Sequence, residues 1–425
     1  MKKVQLVTMG CPKNRVDSEH LLKRLQREGY EISPEGEDLA VAGVDEVIIN
    51  TCGFINDAKE ESISAILEAV EAKKQGYIRS IRVFGCLSQR YRKELMEEIP
   101  EVDTFEGVLT FDNLDRVLTT PKHYAYLKIS EGCDRRCAYC AIPHIRGRHI
   151  SVPMESVIAE ARLLAAQGVK ELIVIAQDTT YYGLDLYGRR ALGDLLGKLS
   201  LIDGIEWIRI HYSYPDGFPE DVLDVMASNP KICKYIDIPL QHSATAVLEK
   251  MRRSVNGPET RALVEKIRDK VPGVVLRTTM MVGHPGEGEE EFQDLLQFVR
   301  DYRFERLGAF TYSEEDGTYG ALHYRDDIPQ EVKQERYDIL MELQSGISAQ
   351  YNAKRVGSCE RVLVDSYSDG VLVARSQKES PDVDGEILIG GESLGQGFVP
   401  AGLVGNFTNV RIQGSNEYDL IAELI

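Results

Sequence analysis

The chain has 425 residues, 43% of them hydrophobic, and carries 50 basic against 68 acidic side chains for a net charge of −18. That length exceeds one ordinary core and favours about three domains, while the acidity argues against a broad nucleic-acid footprint and favours a basic protein partner or a small substrate. No signal-peptide pattern follows Met1, and no apolar run approaches the roughly 20 residues that cross a bilayer, so a soluble, cytoplasmic protein with no membrane partner is expected.

Residues 1–118 read as alternating strands and helices. Strands are expected at 4–8, 46–50 and 81–84, with helices over 18–28, over 57–74 and from 88 onward. The second helix sets Ile63, Ile66, Leu67 and Val70 at i, i+3, i+4 and i+7, the spacing of one buried face. This order implies a doubly wound parallel sheet with helices on both sides. Cys11, Cys52 and Cys86 each fall just past a strand end. Ligands of open parallel sheets gather at those ends, so three cysteines far apart in sequence arrive on one edge. Three unrelated core cysteines are the alternative reading.

From 124 the pattern restarts, with strands at 124–129, 171–176, 207–211, 235–238, 274–282 and 306–310. Helices fall at 153–167, 219–227, 259–270 and 287–302. Six such units over this stretch suit a partial (β/α) barrel. A long helix over 330–353 leads to a tail of short strands at 360–365, 371–374, 386–389 and 403–412, a small all-β barrel or sandwich.

The compact run Cys133-x-x-x-Cys137-x-x-Cys140 follows the first barrel strand. Zinc usually takes four ligands from paired units, and the next cysteine, Cys233, stands alone. Bacterial ferredoxin spacing also differs. Three thiolates in one loop best suit a four-iron, four-sulfur cluster with one iron left open; zinc or plain packing are the alternatives. Eight cysteines in a reducing compartment fit metal or redox use better than a disulfide framework.

This loop resembles that of the radical S-adenosylmethionine (SAM) enzymes, with Tyr139 as the aromatic residue before the last cysteine. The resemblance implies a 4Fe-4S cluster on Cys133, Cys137 and Cys140 whose open iron chelates SAM, and a 5′-deoxyadenosyl radical as the reactive species. Gly10-Cys11-Pro12-Lys13-Asn14, Asn50-Thr51-Cys52-Gly53-Phe54 and Gly85-Cys86-Leu87 resemble the amino-terminal domain of the methylthiotransferases. That likeness runs through the whole chain and implies a methylthiotransferase domain over 1–118, a radical SAM barrel over 119–354 and a TRAM-type β-barrel over 355–425. It further implies a second 4Fe-4S cluster on Cys11, Cys52 and Cys86, holding the sulfur to be inserted.

Gln177, in Ala176-Gln177-Asp178, and Gly283, in Val282-Gly283-His284-Pro285-Gly286-Glu287-Gly288, resemble segments that line the SAM pocket; structural turns are the alternative. His284 and Gly288 depart from the usual Phe and Thr of that segment. Arg209 and Arg277 suit the SAM carboxylate or ordinary ion pairs. His211 and His242 suit structural hydrogen bonds, and Cys233 and Cys359 packing.

Members of this family modify either hypermodified adenosines of tRNA or an aspartate of the small-subunit ribosomal protein S-twelve. Cys11-Pro12-Lys13-Asn14 with Val16-Asp17-Ser18-Glu19 resembles the aspartate-modifying branch. The tail, 355–425, carries five cations against eleven acids, a net of −6. An RNA grip would be basic, because phosphate contacts dominate its affinity, and Phe398 and Phe407 give little stacking surface. The expectation is a methylthio group placed on the β-carbon of that aspartate, with a tRNA enzyme as the alternative. Its partners would be the basic ribosomal protein and an electron donor, with no stable tRNA binding, and the protein would act as a monomer.

Overall fold

Three layers of order arise from three stretches of sequence in the computed structural model, which describes residues 2–390 and 400–425. The first sheet contains β1 (Lys3–Thr8), β2 (Glu31–Ser33), β3 (Glu46–Thr51), β4 (Ser80–Gly85) and β5 (Thr104–Phe105), all parallel in the order β2-β1-β3-β4-β5. Val4, Leu6, Ile48 and Phe84 pack on Leu21, Leu22 and Leu25 on one side. Val47, Ile49, Ile81 and Val83 pack on Ile66, Ala69 and Val70 on the other. Both faces are buried, as a parallel sheet requires. The strands β2 and β5 were not expected, since three and two residues are too few to show an alternation.

The first helix differs from its expected start. It runs Pro12–Arg27, with Cys11 as its N-cap and Pro12 in its first turn, where a missing N–H costs nothing. Lys13, Asn14, Asp17, Ser18 and Glu19 are polar yet buried. That face meets the next domain, so no apolar stripe marks it.

The central sheet follows chain order. After β6 (Tyr124–Lys128), the two-residue strands β7 (Ser130–Glu131) and β8 (Ile150–Ser151) pair antiparallel and close off the cysteine loop. The sheet continues through β9 (Glu171–Ile175), β10 (Trp207–Ile210), β11 (Ile232–Asp237), β12 (Val275–Val282) and β13 (Arg306–Thr311), six parallel strands counting β6. Helices including Met154–Ala166, Leu192–Leu199, Gly257–Lys270 and Glu289–Tyr302 cover its outer face with a continuous apolar core. The helix Gln330–Ala353 then crosses to the tail.

The tail closes into a barrel of β14 (Cys359–Ser368), β15 (Val371–Arg375), β16 (Ile387–Ile389), β17 (Phe407–Ser415) and β18 (Leu420–Leu424). Val362, Val364, Leu372, Ala374, Val410, Ile412 and Leu420 fill its interior. The strand expected from 403 starts at Phe407, because Pro400–Leu403 forms a 3-10 turn. The closing strand β18 was not expected.

The end of β15 and its connection to β16 enter the partial barrel and between them reach all six strands. Asp382 accepts from the Tyr126 hydroxyl (3.0 Å), and Arg375 pairs with Glu171 (2.8 Å). Arg209 donates to the carbonyls of Gln377 (2.8 Å) and Ser376 (3.3 Å). Asp384 accepts from Tyr235 (2.6 Å) and faces Arg277 (3.8 Å), while Glu379 pairs with Arg306 (3.1 Å). Glu379 also pairs with Arg355. Burial would raise its pKa, but Arg355 and Arg306 hold it well below the ordinary carboxylate range.

Glu379→Ala leaves Arg306 without its carboxylate and Arg355 short of one. Breaking a buried pair by removing one partner costs about 3 kcal/mol or more, so urea unfolding of the metal-free protein should show at least that loss. Because the folded-state pKa is depressed, the Glu379 contribution is full above about 4.5, the ordinary glutamate value, and fades as pH falls below it. The gap between wild type and variant should narrow in acid.

Candidate active site

Glycines next to the dispersed cysteines explain how three loops meet. Gly10 has φ +85°, and a Cβ there would lie 2.6 Å from Cys52 Cβ and 2.8 Å from its sulfur. A Cβ on Gly53 would lie 2.6 Å from the Cα of Leu87. The Cys11 loop therefore touches Cys52, and the Cys52 loop touches the backbone beside Cys86. Strands β1, β3 and β4 are adjacent in the sheet, so their carboxyl ends present all three cysteines together. The Ser62 hydroxyl accepts from the Cys52 N–H (2.9 Å) and fixes that loop. Asn14 donates to the carbonyls of Met9 (2.9 Å) and Thr51 (3.1 Å), tying the first loop to the second.

The compact triplet is built differently, within one loop held at both ends. The Cys133 N–H donates to the Gly147 carbonyl (3.1 Å), the Ala138 N–H donates to the Met251 carbonyl (2.9 Å), and the Ala138 carbonyl accepts from the Gly320 N–H (2.7 Å). Arg135 is fixed by Asp178 (2.9 Å) and Asp216 (2.5 Å), and its own N–H points at Cys133 sulfur (3.4 Å). Arg253 points at Cys137 sulfur (3.9 Å) and the Tyr139 hydroxyl (3.3 Å). Tyr139 is half-buried against Val247, Met251, Met281 and Tyr312. All three cysteines line a cleft of about 780 Å³.

The two triplets are joined through the helix Ile142–Arg146, which starts just after Cys140. Cys86 packs against Ala141 and Ile145. Arg146 donates to Cys86 sulfur (3.3 Å), to Asn14 (2.6 Å), to Asp17 (3.1 Å) and to both oxygens of Glu131 (2.9 Å). Gln177 donates its amide to Glu131 (2.8 Å). Burial would raise the Glu131 pKa, yet Lys128 and Arg146 hold it down to about 2.

The donor sets fit iron–sulfur clusters. Burial pushes the Cys86 and Cys133 thiols up to about 12, so without a metal they stay protonated and inert. Bound metal reverses that by holding the thiolate, and Arg146 and Arg253 stand ready to balance its negative charge. Among the described residues no three Cys, His, Asp or Glu side chains close on a single-ion position; a cluster with irons at separate corners does not ask for one.

Other expected positions land elsewhere. A Cβ on Gly283 would meet the Lys333 side chain at 2.3 Å, and its N–H donates to Glu287 (3.0 Å), so its close approach is to the long helix. Arg209 pairs with Glu171 (2.8 Å) and the tail, and Arg277 with Asp237 (2.9 Å), which makes both ion-pair partners within the barrel. His211 bonds Ser380 (2.8 Å), and burial pushes it down to about 3, keeping it neutral. His242 accepts from the Ala244 N–H (3.0 Å). Cys233 packs with Trp207 and Tyr235, whereas Cys359 is exposed. His284 meets Tyr139 and Tyr312 edge-on at 6.4 and 5.0 Å. Phe398 lies outside the described residues, and Phe407 packs on Trp207. Sequence reasoning missed Lys13, Arg146 and Arg253 as site residues; only the position of Lys13 two residues after Cys11 offered a signal.

Residues 127–299 match the radical SAM superfamily, 3–107 match the uncharacterized protein family UPF0004, and 356–425 match the TRAM domain. The ribosomal protein uS12 methylthiotransferase RimO of Bacteroides fragilis is 49% identical over 100% of this chain and 99% of its own. The RimO of Porphyromonas gingivalis is 50% identical over the same shares. The chain belongs to the RimO family of radical SAM methylthiotransferases. Among solved structures, the radical SAM methyltransferase TsrM of Kitasatospora setae superposes with a TM-score of 0.54 at 15% identity, covering 73% of this chain and 72% of its own. The cobalamin-dependent radical enzyme OxsB does so at 0.52 and 14%, covering 82% and 56%. These distant likenesses establish the shared fold of this RimO-family chain.

Anaerobically reconstituted protein should hold about eight irons, and about four after Cys133, Cys137 and Cys140 are all changed to Ala. Gly53→Ala, which forces the second loop off Leu87, should also drop the count to about four while leaving the compact site's spectrum in place. Iron analysis with electron paramagnetic resonance checks both.

Proposed function

We propose that this protein places a methylthio group on the β-carbon of an aspartyl residue of ribosomal protein uS12, in the cytoplasm. The observation that carries the reading is the contact of Cys86 with Ala141, Ile145 and Arg146. It ties the dispersed triplet to the helix that continues the compact one, an adjacency that lets both serve one substrate. Full-length relatives named as uS12 methylthiotransferases support the substrate, as does the acidic tail, which suits a basic ribosomal protein better than RNA.

Cys133, Cys137 and Cys140 would hold the 4Fe-4S cluster that binds SAM, and Cys11, Cys52 and Cys86 the second. When bound, these groups supply a 5′-deoxyadenosyl radical that removes an unactivated hydrogen, and the methylated sulfur that replaces it. The chain's own residues arrange that encounter. Arg135 and Arg253 set the shape of the compact loop, Tyr139 packs beneath it, and Gln177 orients Glu131 by its amide hydrogen bond. Arg146 keeps the two loops in register. An external reductant must supply the electron, and the protein acts as a monomer.

Deleting the gene and comparing ribosomal proteins and tRNA by mass spectrometry tests the reading. The uS12 aspartyl peptide should lose the mass gained by exchanging H for SCH3, with tRNA unchanged. Loss of that mark from tRNA, with uS12 untouched, overturns it.

A further inference from the structure

A lysine or arginine removed from water needs a counter-ion or strong acceptors. Among the described residues, every buried cation but two pairs with a carboxylate. One exception is Arg253, which donates to the Pro239 carbonyl (2.6 Å) as well as to Tyr139 and Cys137. The other is Lys13. It is 7% exposed and hydrogen-bonds to no described residue, and its ammonium stands 2.9 Å from the centre of the Tyr212 ring.

Its position is as informative as its lack of a carboxylate partner. Lys13 lies in the first turn of the helix that Cys11 caps and reaches across to the carboxyl ends of the barrel strands. Tyr212, just past β10, has φ 59°, a conformation that a bulky side chain rarely adopts. Asp237 holds it there by accepting from its N–H (3.0 Å). The neighbouring charges are already committed: Asp237 to Arg277, and Glu131 to Arg146 and Lys128. Among the described residues, Lys13 is thus a buried cation without a carboxylate, fixed between the dispersed cysteines and the barrel mouth.

We propose that Lys13 receives the carboxylate of the substrate's aspartyl side chain and so selects an acidic residue over a neutral one. The assignment rests on the uS12 reading above. In an aspartyl side chain the β-carbon is bonded directly to the carboxylate carbon, so a cation gripping the carboxylate anchors the reacting carbon one bond away. A neutral group of the same shape leaves the ammonium buried and unpaired, which is the stronger form of selection.

The test uses cluster-loaded protein and two labelled peptides spanning the modified uS12 residue, one with Asp and one with Asn. Wild type should bind the Asp peptide about tenfold or more tightly than the Asn peptide. Lys13→Met should weaken only the Asp peptide, by about tenfold, abolishing the preference, and Lys13→Arg should restore part of it. KM for the Asp substrate should rise in Lys13→Met with iron content and the cluster reduction potentials unchanged. A Lys13→Met protein that keeps the preference overturns the proposal. So does one whose second cluster shifts in potential or is lost while peptide affinity holds, since Lys13 would then serve the cluster. If wild type modifies no uS12 and binds neither peptide, the substrate reading falls, and this assignment with it.

Discussion

A guanidinium taken out of water has to be ringed by acceptors, and Arg146 finds them on three separate elements. Asn14 and Asp17 come from the first helix, Cys86 from the end of β4, and Glu131 from the short hairpin that closes the compact cysteine loop. Lys128 reinforces the joint by pairing with both Asp17 and Glu131. Buried ion pairs add little net stability over apolar packing, but a wrong arrangement of them is heavily penalised. Their effect here is therefore on geometry. The two cysteine-bearing domains can meet in one way only, and that way sets the distance between the triplets.

The opposite side of the barrel obeys the same logic with different partners. A full eight-stranded barrel fills its interior with apolar layers. Six strands leave it open, and Glu171, Arg209, Tyr235 and Arg277 face inward with polar groups to satisfy. The β15–β16 connection supplies the acceptors and donors that water would otherwise provide. The carboxyl-terminal barrel is thereby part of the catalytic domain's interior, in addition to whatever its outer surface contacts. Its strands and the long helix before it fold around Arg355 and Glu379, which makes the plug and the barrel wall one cooperative structure.

Much of this was legible from residue spacing. The compact triplet follows from local sequence, and the dispersed one from cysteines at successive strand ends with Gly10, Gly53 and Gly85 beside them. What sequence did not reveal are contacts whose partners lie far along the chain. Arg209 and Arg277 suited an anion as well as an ordinary ion pair, because their partners, Glu171 with the 376–384 segment and Asp237, carry no local signature. The first turns of the Pro12–Arg27 helix looked like loop because polar residues usually face water, whereas here they face another domain. The strands β2, β5 and β18 escaped for a plainer reason: two lack the length to show a period, and the third, Leu-Ile-Ala-Glu-Leu, is apolar at four of five positions and so shows no alternation.

Charge is distributed in this molecule to serve two distances. At long range, the chain is acidic, with a net of −18, and its last domain contributes −6 of that, which draws basic partners and repels polyanions. At short range cations gather. Arg135, Arg136, Arg148 and Arg252 line the cleft around the compact triplet, and Arg146 and Lys13 stand beside the dispersed one. Thiolates, and a cluster bound by them, would carry negative charge, and a cationic lining in a low-dielectric site would offset it far better than solvent could. A basic protein chain would be attracted to the acidic exterior but held off by the lining, unless the residue it inserts is itself acidic. On the proposed reading, the long-range field recruits the partner, and the local one decides which of its side chains enters.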